Sequence, residues 1–305
     1  MPELPEVETT TNGLKKKIMG LKIKDIWTDL STKDIRQKNA VANPKYFPLF
    51  KHDVIGRKVI SVGRRAKNIL INLSGNKTIL IHMKMTGHLL FGRYKFKKKI
   101  NKWLPNETGP LQDPYNRFVH ILFSFSNHKM LAFSDSRKFG KVTLLDTHTM
   151  HKSVHLKDIG PEPLARSFLF PNFKTSLIKR PNQKIKIALM DQSLIAGIGN
   201  IYSDEILWRA GIHPESTVSK IKEEEMKLMF KAMKELLLKG IDFGGDSMSD
   251  YRNIDGERGK FQLHHKAYRK TGEKCSKINC TGVIRRKVIG SRSAHFCSSH
   301  QKLFL

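Results

Sequence analysis

Ile69-Leu70-Ile71-Asn72-Leu73 and Thr78-Ile79-Leu80-Ile81-His82-Met83-Lys84-Met85 flank a polar, glycine-containing break, Ser74-Gly75-Asn76-Lys77. Short apolar runs bounded by Gly, Asn and Asp read as strands rather than helices. Phe118–Phe125 and Lys141–Leu145 repeat the pattern, so residues 52–145 predict an antiparallel sandwich or barrel. Within that stretch Arg93–Trp103 is rich in lysine and reads as a solvated loop. Upstream, residues 1–20 read as a helix: Pro5 suits a first turn, Val7, Leu14 and Ile18 share a face, and Gly20 closes it. Downstream, Pro161, Pro163, Pro171 and Pro181 mark residues 158–183 as a linker. Met226, Met229, Phe230, Met233, Leu236 and Leu237 then recur at helical spacing, with Ser219 as N-cap and Gly240 at the end. Those methionines read as core filling. The fold class is multidomain α and β: an N-terminal antiparallel β-sandwich flanked by helices, a helical region, and a short cysteine-bearing tail.

Charge narrows the partner. The chain carries 56 Lys and Arg against 27 Asp and Glu, a net charge of +29. An excess of that size attracts polyanions, nucleic acid being the commonest; a membrane surface or a lysine-rich coding bias are the other sources of such a balance. No apolar stretch approaches the roughly 20 residues that span a bilayer, and no signal peptide opens the chain. A cytoplasmic location is expected, with thiols kept reduced. The three cysteines all fall in the last 31 residues, an odd and clustered set that favours a metal over disulfides.

Cys275-x4-Cys280-x16-Cys297-x2-His300 offers four ligands in two pairs, as a tetrahedral structural zinc requires. Ile284–Val288 and Ala294–Cys297, joined around Gly290, predict a hairpin between the pairs. A tail this short buries little core of its own, so the metal would supply much of its folding energy. Ala196-Gly197-Ile198-Gly199-Asn200 precedes a helix over about 200–210. That arrangement either cradles a phosphate on exposed backbone N–H groups or simply connects two helices tightly. At the other end, Met1-Pro2-Glu3-Leu4-Pro5-Glu6-Val7-Glu8 places proline second. Removal of Met1 exposes a secondary amine that titrates near 8 and can attack an aldehyde-like carbon, with Glu3 beside it to move protons. Taken alone, Pro2 is a helix starter.

The opening octapeptide resembles the signature of the formamidopyrimidine-DNA glycosylase family. The similarity continues in order through Gly63–Lys67, His82–Gly87, Asp135–Gly140, Gly160–Leu164, Asp191-Gln192 with Gly197–Asp204, the loop from Gly244 to Gly259, and the tail. The resemblance implies a sandwich domain over 1–157, a hinge over 158–183, a helix–two-turns–helix domain with a lesion-capping loop over 184–265, and a zinc-finger hairpin over 266–305. It implies that Pro2 is the nucleophile at C1′, that Glu3 is the general acid, and that Lys67 assists elimination. Met85, Arg137 and Phe139 would fill the space left by an everted base. His82, Lys186 and Asn200 would contact the DNA, and Arg292 would complete the grip on the reacting phosphates. Double-stranded DNA with oxidised bases or abasic sites is the implied partner, one zinc ion the implied cofactor, and a monomer the implied state.

Three positions depart from the family pattern. Phe118 stands where relatives carry histidine, the first zinc pair is widely spaced, and the fourth ligand is His300 rather than cysteine. Leu4 and the Gly244–Gly259 loop favour oxidised purines over the pyrimidines taken by endonuclease VIII-like sister enzymes. A basic zinc-ribbon DNA-binding protein without catalysis is the alternative from another class.

Overall fold

The computed structural model describes residues 1–305. They form two compact units: residues 1–157 with 243–260, and residues 158–242 with 261–305.

The first unit contains α1 (Leu4–Ile18), β1 (Ile23–Thr28), α2 (Phe47–Val54), β2 (Val59–Arg65), β3 (Asn68–Leu73), β4 (Lys77–His82) and β5 (His88–Gly92). It continues with β6 (Tyr94–Lys97), β7 (Lys102–Pro105), β8 (Val119–Phe125), β9 (Met130–Ser134) and β10 (Lys141–Asp146). Two four-stranded antiparallel sheets, ordered β1–β8–β9–β5 and β10–β4–β3–β2, share one core. Ile121, Phe123 and Phe125 of β8 enter it at every second position, opposite Ile69 and Ile71 of β3 and Ile79 and Ile81 of β4. Leu122 belongs to a second cluster, with Leu90, Tyr94, Leu111, Val119 and Ala132. Strand β8 thus buries residues on both faces around Ile121-Leu122-Phe123, while its polar His120 and Ser124 stay half-buried.

Two expectations change in this unit. Arg93–Trp103 is not a loop but most of the β6–β7 hairpin, whose Phe96 and Trp103 pack edge-on against Trp27, with ring centroids 6.2 and 6.1 Å away. The alternating aromatic residues are masked in sequence by the lysines between them. Residues 243–260, placed from sequence with the helical segment, pack on α1 instead. Ile254 fills the space over Gly13, where a Cβ would meet its Cγ2 at 2.4 Å, and its carbonyl accepts the Phe91 N–H at 2.8 Å.

The second unit holds α3 (Phe170–Ile178), α4 (Ile185–Met190), α5 (Asn200–Ala210), α6 (Glu223–Asp242) and the hairpin β11 (Ile284–Ile289)–β12 (Arg292–Cys297). Residues 158–183 are not a bare linker, because α3 buries Phe173 and Leu177, and Phe173 packs on Phe230 of α6 at 5.5 Å. Helix α6 begins at three glutamates that complement the positive end of its dipole. Ser219 lies in a short 3₁₀ turn ahead of it and does not cap it. Gly240 does not end it either; a Cβ there would meet Tyr202 Oη at 2.2 Å, so glycine is required by packing. No helix is long and apolar enough to cross a membrane.

Candidate active site and metal centre

Pro2 and Glu3 are buried at the start of α1. The Glu3 N–H donates to Glu6 Oε2 at 2.7 Å, and Glu6 Oε1 accepts the Asp246 N–H at 2.8 Å. Burial raises Glu6 to about 7, and the negative charges of Glu3 and Asp246 push the same way; the two N–H bonds only partly oppose them. A carboxyl group able to hold a proton at neutral pH is therefore hydrogen-bonded to the backbone of Glu3, the residue that follows Pro2. The Tyr251 hydroxyl donates to the Glu6 carbonyl at 3.0 Å, tying residues 243–260 to the same turn. Sequence reasoning assigns Glu6 no role. Its signal there is the capping-box spacing, a glutamate three residues after the N-cap Glu3.

Lys67 lies in the two-residue turn between β2 and β3, after Ala66 in the left-handed region at φ 51°. Arg64 joins this turn to α1: its Nε donates to Glu8 Oε2 at 2.5 Å and its Nη1 to the Ala66 carbonyl at 2.9 Å. Lys67 is buried and shares its surroundings with His82 of β4. Burial lowers His82 to about 3, helped by the charges of Lys84 and Lys67. His82 Nδ1 accepts the Lys84 N–H at 3.0 Å, so the neutral ring carries its proton on Nε2.

Met85, Arg137 and Phe139 stand on two turns that are fastened together. Thr86 Oγ1 donates to Asp135, whose Oδ1 also accepts the Arg137 N–H at 3.2 Å and whose Oδ2 accepts the Gly140 N–H at 2.7 Å. Gly87 and Gly140 both lie against Phe133, where a Cβ would approach ring carbons to 2.7 and 2.2 Å. Phe139 is 50% exposed and the Arg137 guanidinium sits 4.8 Å over its ring. A large apolar side chain held half in water by a rigid turn is not core. Ser136 Oγ donates to Asp250 Oδ2 at 2.7 Å, linking residues 243–260 to this turn as well. Phe118, the departure from pattern, lies under the Arg117 guanidinium at 5.0 Å.

In the second unit Gln192 organises the glycine turn, donating to the Met190 and Ile198 carbonyls and accepting the Gly197 N–H. Asn200 opens α5 and its Nδ2 donates to Ser293 Oγ at 3.4 Å, beside the exposed Arg292 at the start of β12. Lys186 departs from expectation. It is 0% exposed, and its Nζ donates to Asp204 Oδ1 at 2.5 Å and Ser203 Oγ at 3.1 Å. Asp204 Oδ2 in turn accepts the backbone N–H and Nδ1 of His295, each at 2.9 Å. Lys186 thus ties α4 to α5 and β12 and offers nothing to a phosphate. A cavity of about 270 Å³ between α5, α6 and residues 264–278 contains none of the expected site residues.

The ligand atoms of Cys275, Cys280, Cys297 and His300 all lie within 4.8 Å of one another. Cys280 Sγ is 3.5 Å from Cys297 Sγ, and His300 Nδ1 is 3.3 and 3.8 Å from the sulfurs of Cys275 and Cys280. Tetrahedral zinc, with bonds of about 2.3 Å to sulfur and about 2.0 Å to nitrogen, sets such pairs about 3.5–3.8 Å apart. His300 Nε2 donates to the Trp208 carbonyl at 3.0 Å, which leaves the Nδ1 lone pair for a metal. The Gly282 and Ser299 N–H groups donate to the sulfurs of Cys280 and Cys297. The four residues fit one metal ion.

An antiparallel sandwich, a helical unit turning on glycines and a four-ligand hairpin define a two-unit protein of the helix–two-turns–helix class. Residues 1–142 match the formamidopyrimidine-DNA glycosylase N-terminal domain, and residues 159–252 match the H2TH domain of the same glycosylases. The formamidopyrimidine-DNA glycosylase of Heliobacterium modesticaldum is 36% identical over 302 residues, covering 99% of this chain and 100% of that protein. That of Bacillus subtilis is 34% identical with 99% of each covered. The Lactococcus lactis enzyme in complex with abasic-site DNA superposes with a TM-score of 0.81 at 31% identity, covering 98% of this chain and 99% of that one. Its complex with N7-benzyl-Fapy-dG DNA gives 0.80 at 32%, covering 99% and 100%. The chain belongs to the formamidopyrimidine-DNA glycosylase family.

Proposed function

We propose that this chain is a bifunctional glycosylase and AP lyase of base excision repair that removes oxidised purines, 8-oxoguanine and formamidopyrimidines, from duplex DNA. The observation that carries the proposal is the N-terminal turn: Pro2 precedes Glu3, whose backbone N–H donates to the buried Glu6 carboxyl group, Glu6 also accepts the Asp246 N–H, and Arg64 joins the same helix to the Lys67 turn. With Met1 removed, the Pro2 nitrogen attacks C1′. The bond from C1′ to the base breaks and its electron pair leaves with the base. Glu3 protonates the sugar ring oxygen as the ring opens, giving an iminium on Pro2. Loss of the proton at C2′ then expels the 3′ phosphate, and a second elimination expels the 5′ phosphate. Lys67 steadies the departing phosphates.

Met85 and Phe139 replace the everted base in the stack while Arg137 bonds its widowed partner. Asn200 and Arg292 hold the backbone, and residues 244–259 close over the lesion. Cys275, Cys280, Cys297 and His300 would hold a structural zinc ion, which would supply folding energy to the hairpin that carries Arg292. A monomer working in the cytoplasm at the nucleoid fits these parts. A nicking assay on a duplex with a single 8-oxoguanine tests the reading: phosphate on both sides of a one-nucleotide gap is expected, and intact strands overturn it.

A further inference from the structure

The β6–β7 hairpin lies outside the site just described. Arg93, Lys95, Lys97, Lys98, Lys99 and Lys102 put six cations into ten residues, and Glu107 is the nearest acid in sequence. All six side chains are exposed, and none forms an ion pair. Lys97 and Lys102 are direct cross-strand partners, an arrangement that destabilises a two-stranded ribbon through like-charge repulsion. Folding does not need this charge. The ribbon is anchored by its other face, where Tyr94 joins the cluster around Leu122 and Phe96 and Trp103 pack on Trp27 of β1. The outcome is a rigid two-stranded ribbon with aromatic residues on the protein side and lysines on the solvent side.

We propose that this ribbon is a second nucleic-acid binding element, which grips the backbone of duplex DNA flanking the lesion. Two strands about 4.8 Å apart fit between phosphates across a major groove about 12 Å wide. Phosphates would supply the counter-charge that Lys97 and Lys102 lack. The inference rests on the proposed function only for the choice of duplex DNA as the polyanion.

The test is the salt dependence of binding to an undamaged duplex of about 40 bp, followed by fluorescence anisotropy. It compares the native chain with K95Q/K97Q/K98Q/K99Q/K102Q. Each phosphate that the variant leaves unneutralised makes the slope of log K against log salt shallower by about 0.9, so a change between about 2 and 4.5 is expected. The variant should melt no lower than the native chain, since it removes repulsion. K179Q/K220Q/K222Q/K231Q removes exposed lysines elsewhere and serves as the control. An unchanged slope, or an equal change per lysine in the control, overturns the proposal. So does binding to anionic phosphatidylserine vesicles that the ribbon variant loses while its DNA slope stays native. Nicking of a short lesion duplex reports separately on the enzymatic reading, because it needs no flanking DNA for the ribbon.

Discussion

Lys186→Met is expected to cost the helical unit about 3–5 kcal/mol, the penalty for stranding one charge of a buried pair. The magnitude follows from its surroundings. Lys186 and Asp204 are both 0% exposed at the side chain, and Lys186 Nζ donates to Asp204 Oδ1 at 2.5 Å. Without the ammonium, Asp204 keeps only its two bonds from His295, and water does not reach it. Lys186→Met with Asp204→Asn removes both charges and should recover about half the loss, about 2 kcal/mol. Hydrogen exchange of the His295 amide, which donates to Asp204, reads the opening free energy of this unit directly. A surface lysine holding a DNA phosphate would behave otherwise. Its loss would leave stability within about 0.5 kcal/mol and make the salt slope of DNA binding shallower by about one unit. That result for Lys186→Met would refute the structural role assigned here.

Other perturbations have equally definite outcomes. Gly140→Ala drives a Cβ to 2.2 Å from the Phe133 ring, so a loss of about 1–3 kcal/mol is expected in urea unfolding, together with reduced nicking as Arg137 and Phe139 shift. Glu6, raised from 4.5 to about 7, binds its proton more tightly in the folded state. Its contribution to stability is therefore complete below about pH 4.5 and lost as pH rises through 7, by about 3 kcal/mol. Urea titrations between pH 5 and 8 should show that slope in the native chain and not in Glu6→Gln; equal slopes would contradict the assignment. Stripping the metal with a chelator should expose β11–β12 to protease and abolish binding to lesion DNA. His300→Cys should retain one zinc per chain by atomic emission, and His300→Ala should bind it at least about tenfold more weakly.

The strands were legible because their cores alternate: Ile121, Phe123 and Phe125 declare an inner face without any partner in view. The metal cluster was legible from ligand spacing, and α5 from the glycines before Asn200. Other features needed the third dimension. Lys186 reads like any basic residue near a phosphate turn, and only Asp204, eighteen positions on, shows that it is buried. Gly240 reads as a helix stop until Tyr202 is seen lying against it. Residues 243–260 follow α6 in sequence but pack on α1, an association that depends on the Glu6–Asp246 and Tyr251 bonds. Glu6 acquires its raised pKa from burial beside two other carboxyl groups, one of them 240 residues away in sequence.

The central claim concerns the amine of Pro2, and borohydride trapping tests it most directly. The Met1-processed chain is mixed with duplex DNA containing 8-oxoguanine in the presence of the reductant, and the adduct is mapped by mass spectrometry. The account predicts a covalent protein–DNA species joined through the Pro2 nitrogen. Pro2→Gly should weaken it, and a chain with Met1 retained should not form it. No adduct with 8-oxoguanine or formamidopyrimidine DNA, or an adduct mapped to a lysine with Pro2 unmodified, would contradict the account.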